Sequence, residues 1–127
     1  MFVTLLAVLF TIFSLIVVVF QWLLFFKKPW GEYTMGGIYP GVLPKPYRIA
    51  ALIQSFLITF NIIVVLNHVD LVHFLSKSFT NGWLWVIMIM MGLSTGMNLV
   101  TKSHKERNLW APIAFIVFVC SVLIYSL

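Results

Sequence analysis

The sequence predicts an all-α membrane protein: an antiparallel four-helix transmembrane bundle with both termini extracytoplasmic. Three observations carry this. Hydrophobic residues make up 62% of the 127 positions and charged residues only 9%, where a soluble domain is about 45–50% apolar and about 25% charged. The apolar residues fall into four runs, each near the ~20 residues that cross a ~30 Å hydrocarbon core at ~1.5 Å per residue. The cations gather in two of the connections between those runs, which sets an orientation. A soluble globular domain, a disordered tail and a secreted disulfide scaffold are excluded. Cys120 is the only cysteine, and its apolar run reads as a packing position.

The chain reads as one transmembrane domain, residues 1–127. Its first helix spans 2–26. Met1 to Phe26 carries no charge, and Lys27 and Lys28 follow the apolar run instead of preceding it, unlike a signal peptide. A loop covers 27–47. The second helix spans 48–66, with an amphipathic extension over 67–77. There Asp70, His73 and Lys77 share one helical face, and Val69, Val72 and Leu75 another. Asn81-Gly82 marks a turn, and the third helix spans 83–100. The fourth spans 108–127. Ser103 and Glu106 have the spacing of a capping box, which would start that helix at His104. Pro112 would then fall inside it, predicting a kink near Trp110 or a short surface turn.

The net charge is +5, and it is a topology signal, not a nucleic-acid footprint. Lys27, Lys28, Lys45 and Arg48 follow the first helix, and Lys102, Lys105 and Arg107 follow the third. These same-side segments hold seven of the eight Lys and Arg, leaving only Lys77 opposite. The positive-inside rule places both basic segments in the cytoplasm. Trp83 and Trp85 would mark the outer interface, and Trp22 and Trp110 the inner one.

The segment from Lys27 to Tyr47 is the most informative. Its 21 residues hold four of the seven glycines, four of the five prolines and three of the four tyrosines. A loop this long is uncommon in a compact domain and points to function or disorder. Its aromatic and aliphatic content argues against disorder. It reads as an ordered cap at headgroup level, built around Trp30, Glu32, Tyr33, Gly36, Gly37 and Tyr39, with Trp30 and at least one of the two tyrosines substantially buried. Gly36-Gly37 offers bare backbone amides suited to an anion, without the flanking sequence of a nucleotide-binding loop.

The run PWGEYTMGG, then LP, then RIAALIQ, and later NLVTKSHKERNLWAP, resembles a family of small four-helix bacterial integral membrane proteins without an assigned activity. The resemblance covers most of the chain from Lys28 onward. It implies a multi-pass protein of the bacterial plasma membrane, and it supplies no catalytic residue.

Polar side chains in lipid face the bundle or a cavity. Gln21, Gln54, Ser94 and Thr95 lie at matching depth, roughly 9–10 Å from the cytoplasmic helix ends, with Asn98 shallower. They read either as interhelical glue or, with Arg48 at the rim above Gln54, as a cytoplasm-facing pocket for a ligand or lipid. Gly92 and Gly96 have the small-xxx-small spacing of close helix packing.

Only three acids are present, Glu32, Asp70 and Glu106, and none is mid-membrane, which disfavours proton-coupled transport. Glu32 is expected to pair with Arg107, and Glu106 with Arg48. His68, Asp70 and His73 cluster outside, but histidines five apart do not meet on one helical face, so no metal is expected. No cofactor and no nucleophile–base motif is indicated. The expected function is non-enzymatic, through helix or loop contacts with membrane lipids, another membrane protein or a second copy of the chain. The alternatives are an oligomeric carrier or channel for a small solute using the polar layer, and a lipid-headgroup enzyme using Glu32, Arg48, Glu106 and Arg107.

Overall fold

A computed structural model describes residues 1–127. It is all-helical. The four helices are α1 (Phe2–Phe25), α2 (Lys45–His68), α3 (Lys77–Val100) and α4 (His104–Ser126), with two 3-10 turns, Gly31–Tyr33 and Met35–Gly37, between α1 and α2. Each of the four is long and apolar enough to cross a membrane, which fits a multi-pass membrane protein. Only 28 of 127 residues are buried, and the outward faces are themselves apolar. Ile12, Leu15 and Val19 on α1, Ile53 and Phe56 on α2, and Ile89, Leu93 and Met97 on α3 are all exposed. Water would not solvate such a surface, whereas lipid tails match it.

The helices start earlier than the apolar runs suggest. α2 begins at Lys45, not 48, because Pro46 sits in its first turn, where a missing N–H costs nothing. The amphipathic extension over 67–77 does not form. α2 ends at His68. The Asn67 Oδ1 then accepts the backbone amides of Phe74 and Leu75 at 2.7 and 2.8 Å, folding the chain back on the helix end. α3 begins at Lys77, not 83. Its N-cap is Ser76, whose Oγ accepts the Phe79 amide at 3.2 Å. Asn81-Gly82 is therefore the second turn of a helix and not a loop. α4 begins at His104, not 108, where the Ser103 cap accepts the Glu106 amide at 3.1 Å. Pro112 lies inside a continuous helix.

The helices pack around two apolar clusters. The larger joins Leu6, Ala7 and Phe10 of α1 to Ile62 and Val65 of α2, Leu84 and Ile87 of α3, and Val117, Cys120 and Ile124 of α4. The smaller lies at the loop end. It is made of Phe20, Leu24, Leu43 and Ala51, with Tyr33, Met35, Tyr39, Tyr47 and Trp110 packed against it. Leu43, 1% exposed, anchors the loop in this second cluster.

Candidate functional site

Residues 26–44 fold into a compact cap on the helix ends. The Gly31 amide donates to the Gly41 carbonyl at 2.8 Å, closing the segment on itself. Gly36 and Gly37 hold φ of +69° and +73°, which a side chain would strain. The Tyr39 hydroxyl donates to the Tyr47 hydroxyl at 2.9 Å. That bond, with smaller contributions from burial and the neighbouring phenol, raises the Tyr39 pKa above its ordinary value.

The cap is clasped to the first turns of α4. The Gly36 amide donates to Glu106 Oε2 at 2.8 Å, and Ser103 Oγ donates to the Glu32 carbonyl at 2.6 Å. Lys105 Nζ meets Glu32 Oε1 at 2.7 Å. Trp110 Nε1 donates to the Tyr33 carbonyl at 2.8 Å. Ser103 therefore caps α4 and holds the loop at once. Only half of the capping box forms, because the Glu106 carboxylate serves the loop and not its own helix.

This geometry corrects both expected ion pairs. Glu32 pairs with Lys105 instead of Arg107, and Glu106 takes the Gly36 amide instead of Arg48. The glycine turn presents an unhindered N–H directly to the first turn of α4, and a carboxylate accepts it in a charge-assisted bond. The anion suited to Gly36-Gly37 is thus the protein's own. Arg48 turns back to the Leu43 carbonyl at 3.1 Å. Arg107 reaches the Thr101 carbonyl at 3.4 Å and the His104 imidazole. Neither arginine has a carboxylate partner. Trp30, expected to be buried, is 36% exposed. Its ring stacks on Phe20 and lies under Lys28 Nζ at 5.7 Å. Tyr33 and Tyr39 are half-buried.

The polar layer separates into local pairs. Gln21 Nε2 donates to Gln54 Oε1 at 3.0 Å, tying α1 to α2. Gln21 is buried while Gln54 lies on the exposed flank of α2. On α3, Thr95 bonds the Met91 carbonyl and Asn98 bonds the Ser94 carbonyl, each at 2.8 Å. Of the residues expected to share a pocket, only Gln21 and Gln54 are brought together; Thr95 and Asn98 bond within α3 and Arg48 turns to Leu43. Gly92 lies close to the Phe118 ring of α4, within 3.2 Å of where a Cβ would stand, but Gly96 faces open space. Only the first glycine is a packing position. At the far end, His68 meets the Thr80 hydroxyl at 3.0 Å and Asp70 meets Lys77 at 3.2 Å, while His73 is exposed. The three do not converge.

Two clefts open beside the clasp. The first, about 620 Å³, is lined by Phe20, Trp30, Tyr33, Lys105, Asn108 and Leu109. The second, about 430 Å³, is lined by Thr95, Leu99, Arg107, Asn108, Ala111, Pro112 and Phe115. Asn108, Pro112 and the clasp residues Ser103 and Lys105 were not singled out as site residues by the sequence. The one signal for the clasp was the Ser103–Glu106 spacing. No family model, no curated protein and no solved structure matches the chain.

Proposed function

We propose that the protein is a non-enzymatic, multi-pass platform of the bacterial plasma membrane, acting through contacts of its clasped cap with lipid or a membrane partner. In this reading the four helices span antiparallel with both termini extracytoplasmic. The charge distribution supports that orientation, with seven cations at the loop end and only Lys77 at the other. The bacterial setting rests on the loop-motif resemblance alone. The observation that carries the functional reading is the clasp. Three hydrogen bonds and one ion pair join segments about seventy residues apart, and they hold a glycine- and proline-rich loop in one shape. A rigid surface at headgroup level is a recognition element, whereas the polar layer a carrier would need is dispersed into local bonds.

Impermeant thiol labelling in whole cells tests the orientation. Ile38→Cys and Lys102→Cys should stay unlabelled and Ser78→Cys should react; the reverse pattern overturns it. A photo-crosslinking side chain at Ile38, 72% exposed on the cap, tests the platform. It should capture lipid or a discrete membrane protein in intact cells, and Glu106→Ala should abolish that product. Equal capture with the clasp broken would overturn the reading.

A further inference from the structure

The second cleft carries a more specific assignment. We infer that it binds an anionic phospholipid of the leaflet at the loop end, with the lipid phosphate on the Arg107 guanidinium. This rests on the reading of the chain as a membrane platform that contacts lipid, and it names the lipid class and the site.

Charge is the first argument. All three acids of the chain are engaged elsewhere: Glu32 with Lys105, Asp70 with Lys77, and Glu106 with the Gly36 amide. Arg107 lines the cleft without a carboxylate. A guanidinium offers five N–H donors, and the Thr101 carbonyl and His104 leave several of them free. Near lipid, the anion within reach of such a group is a headgroup phosphate, which arginine binds through paired N–H donors. The first cleft lacks this feature, because its cation, Lys105, is already neutralised by Glu32.

Pro112 is the second argument. It has no N–H, so the carbonyl of Asn108, four residues earlier, loses its helical partner. Both residues line the cleft and are exposed, so this carbonyl can take a donor from outside the helix. The hydroxyls of a glycerol headgroup supply one, and the Thr95 oxygen on the opposite wall, whose proton goes to the Met91 carbonyl, is left to accept a second. Deeper along α4, Phe115, 54% exposed, offers an apolar track for an acyl chain, while Leu99, 56% exposed, flanks the headgroup near the rim. Counted along the helices, Arg107 and Thr95 lie within roughly 5–9 Å of the helix ends, the depth at which phosphate gives way to glycerol and acyl chain.

The test uses the full chain, purified and delipidated in a neutral detergent, with binding read by native mass spectrometry. The probes are phosphatidylglycerol, phosphatidylcholine and phosphatidic acid. The wild type should retain phosphatidylglycerol in preference to phosphatidylcholine. Arg107→Gln should weaken that binding about fivefold or more, from loss of one interfacial cation, with helical content unchanged. Arg48→Gln, the other arginine without a carboxylate, should leave it unchanged. Pro112→Ala restores an N–H to the Asn108 carbonyl and should narrow the preference for phosphatidylglycerol over phosphatidic acid, which lacks the glycerol hydroxyls. Equal retention of phosphatidylglycerol and phosphatidylcholine, or no effect of Arg107→Gln, overturns the assignment. So does displacement by millimolar inorganic phosphate, which would mark a soluble-anion site. Should Arg107→Gln fail to fold, the Pro112→Ala and phosphate arms still decide. None of these readouts depends on orientation or on the cap. Lost lipid selectivity with intact Ile38 crosslinking rejects this site alone, and the converse rejects the platform alone.

Discussion

A methyl group added at Gly31 would stand 1.8 Å from the Tyr39 carbonyl oxygen and 2.7 Å from that of Gly41. Only backbone movement relieves such contacts. Gly41 holds φ of +84° but faces open space, and Gly82 lies in open space inside α3. The three glycines therefore separate three effects of one substitution. Gly31→Ala should destabilise by about 2 kcal/mol or more through overpacking. Gly41→Ala should cost about 1 kcal/mol for a side chain at positive φ, and Gly82→Ala should be neutral or stabilising by under about 1 kcal/mol. Thermal unfolding of the three variants in detergent checks the order; equal midpoints for Gly31→Ala and Gly41→Ala would show that the loop yields. The sequence announced that glycines matter between Lys27 and Tyr47. It could not say which one touches the chain, because Gly31 meets Tyr39 and Gly41 only once the loop has closed.

Serine caps decide where α3 and α4 begin, and they do unequal work. Ser76 accepts one amide, that of Phe79. Ser103 accepts the Glu106 amide and also donates to the Glu32 carbonyl. Ser76→Ala should cost about 1 kcal/mol. Ser103→Ala should cost about 2 kcal/mol, a cap plus a further hydrogen bond. It should also speed hydrogen exchange at the Gly31–Tyr33 turn, which Ser76→Ala should leave untouched. Equal exchange in both variants would mean the clasp does not need Ser103. The start of α4 was readable because Ser103 and Glu106 have capping-box spacing. The start of α3 was not, because Asn81-Gly82 carries the stronger local turn signal. A single glycine in a helix costs only about 1 kcal/mol relative to alanine, and the Ser76 cap, six residues before Gly82, offsets it. The amphipathic pattern over 67–77 misled for a related reason. Its periodicity is genuine, but the Asn67 side chain offers the backbone a competing set of bonds.

In lipid, helices gain nothing from hiding apolar faces that the tails solvate equally well, so association rests on shape and on polar bonds between helices. At least one such bond links each consecutive pair: Gln21 to Gln54 at 3.0 Å, Trp83 to Asn61 at 2.9 Å, and Trp85 to Tyr125 at 2.9 Å. Four helices and the Gln21–Gln54 depth match could be derived from composition and from counting residues to the nearest lysine or arginine. Direction around the helix axis could not. Thr95 lies at the same depth as Gln21 but bonds its own helix and lines the α3–α4 cleft. With 3.6 residues per turn, a one-residue offset rotates a side chain by ~100°. The glutamine pair gives the sharpest test of glue over pocket. Gln54→Leu leaves Gln21, only 7% exposed, with an amide that has lost its partner. It should cost about 1–2 kcal/mol. Replacing both with leucine removes the orphaned amide along with the bond, so the double variant should be more stable than Gln54→Leu alone. Reversible unfolding by denaturing detergent, followed by tryptophan fluorescence, gives the comparison. A double variant less stable than either single one would mean the two amides serve partners beyond each other, and the layer would then be more than a tie between α1 and α2.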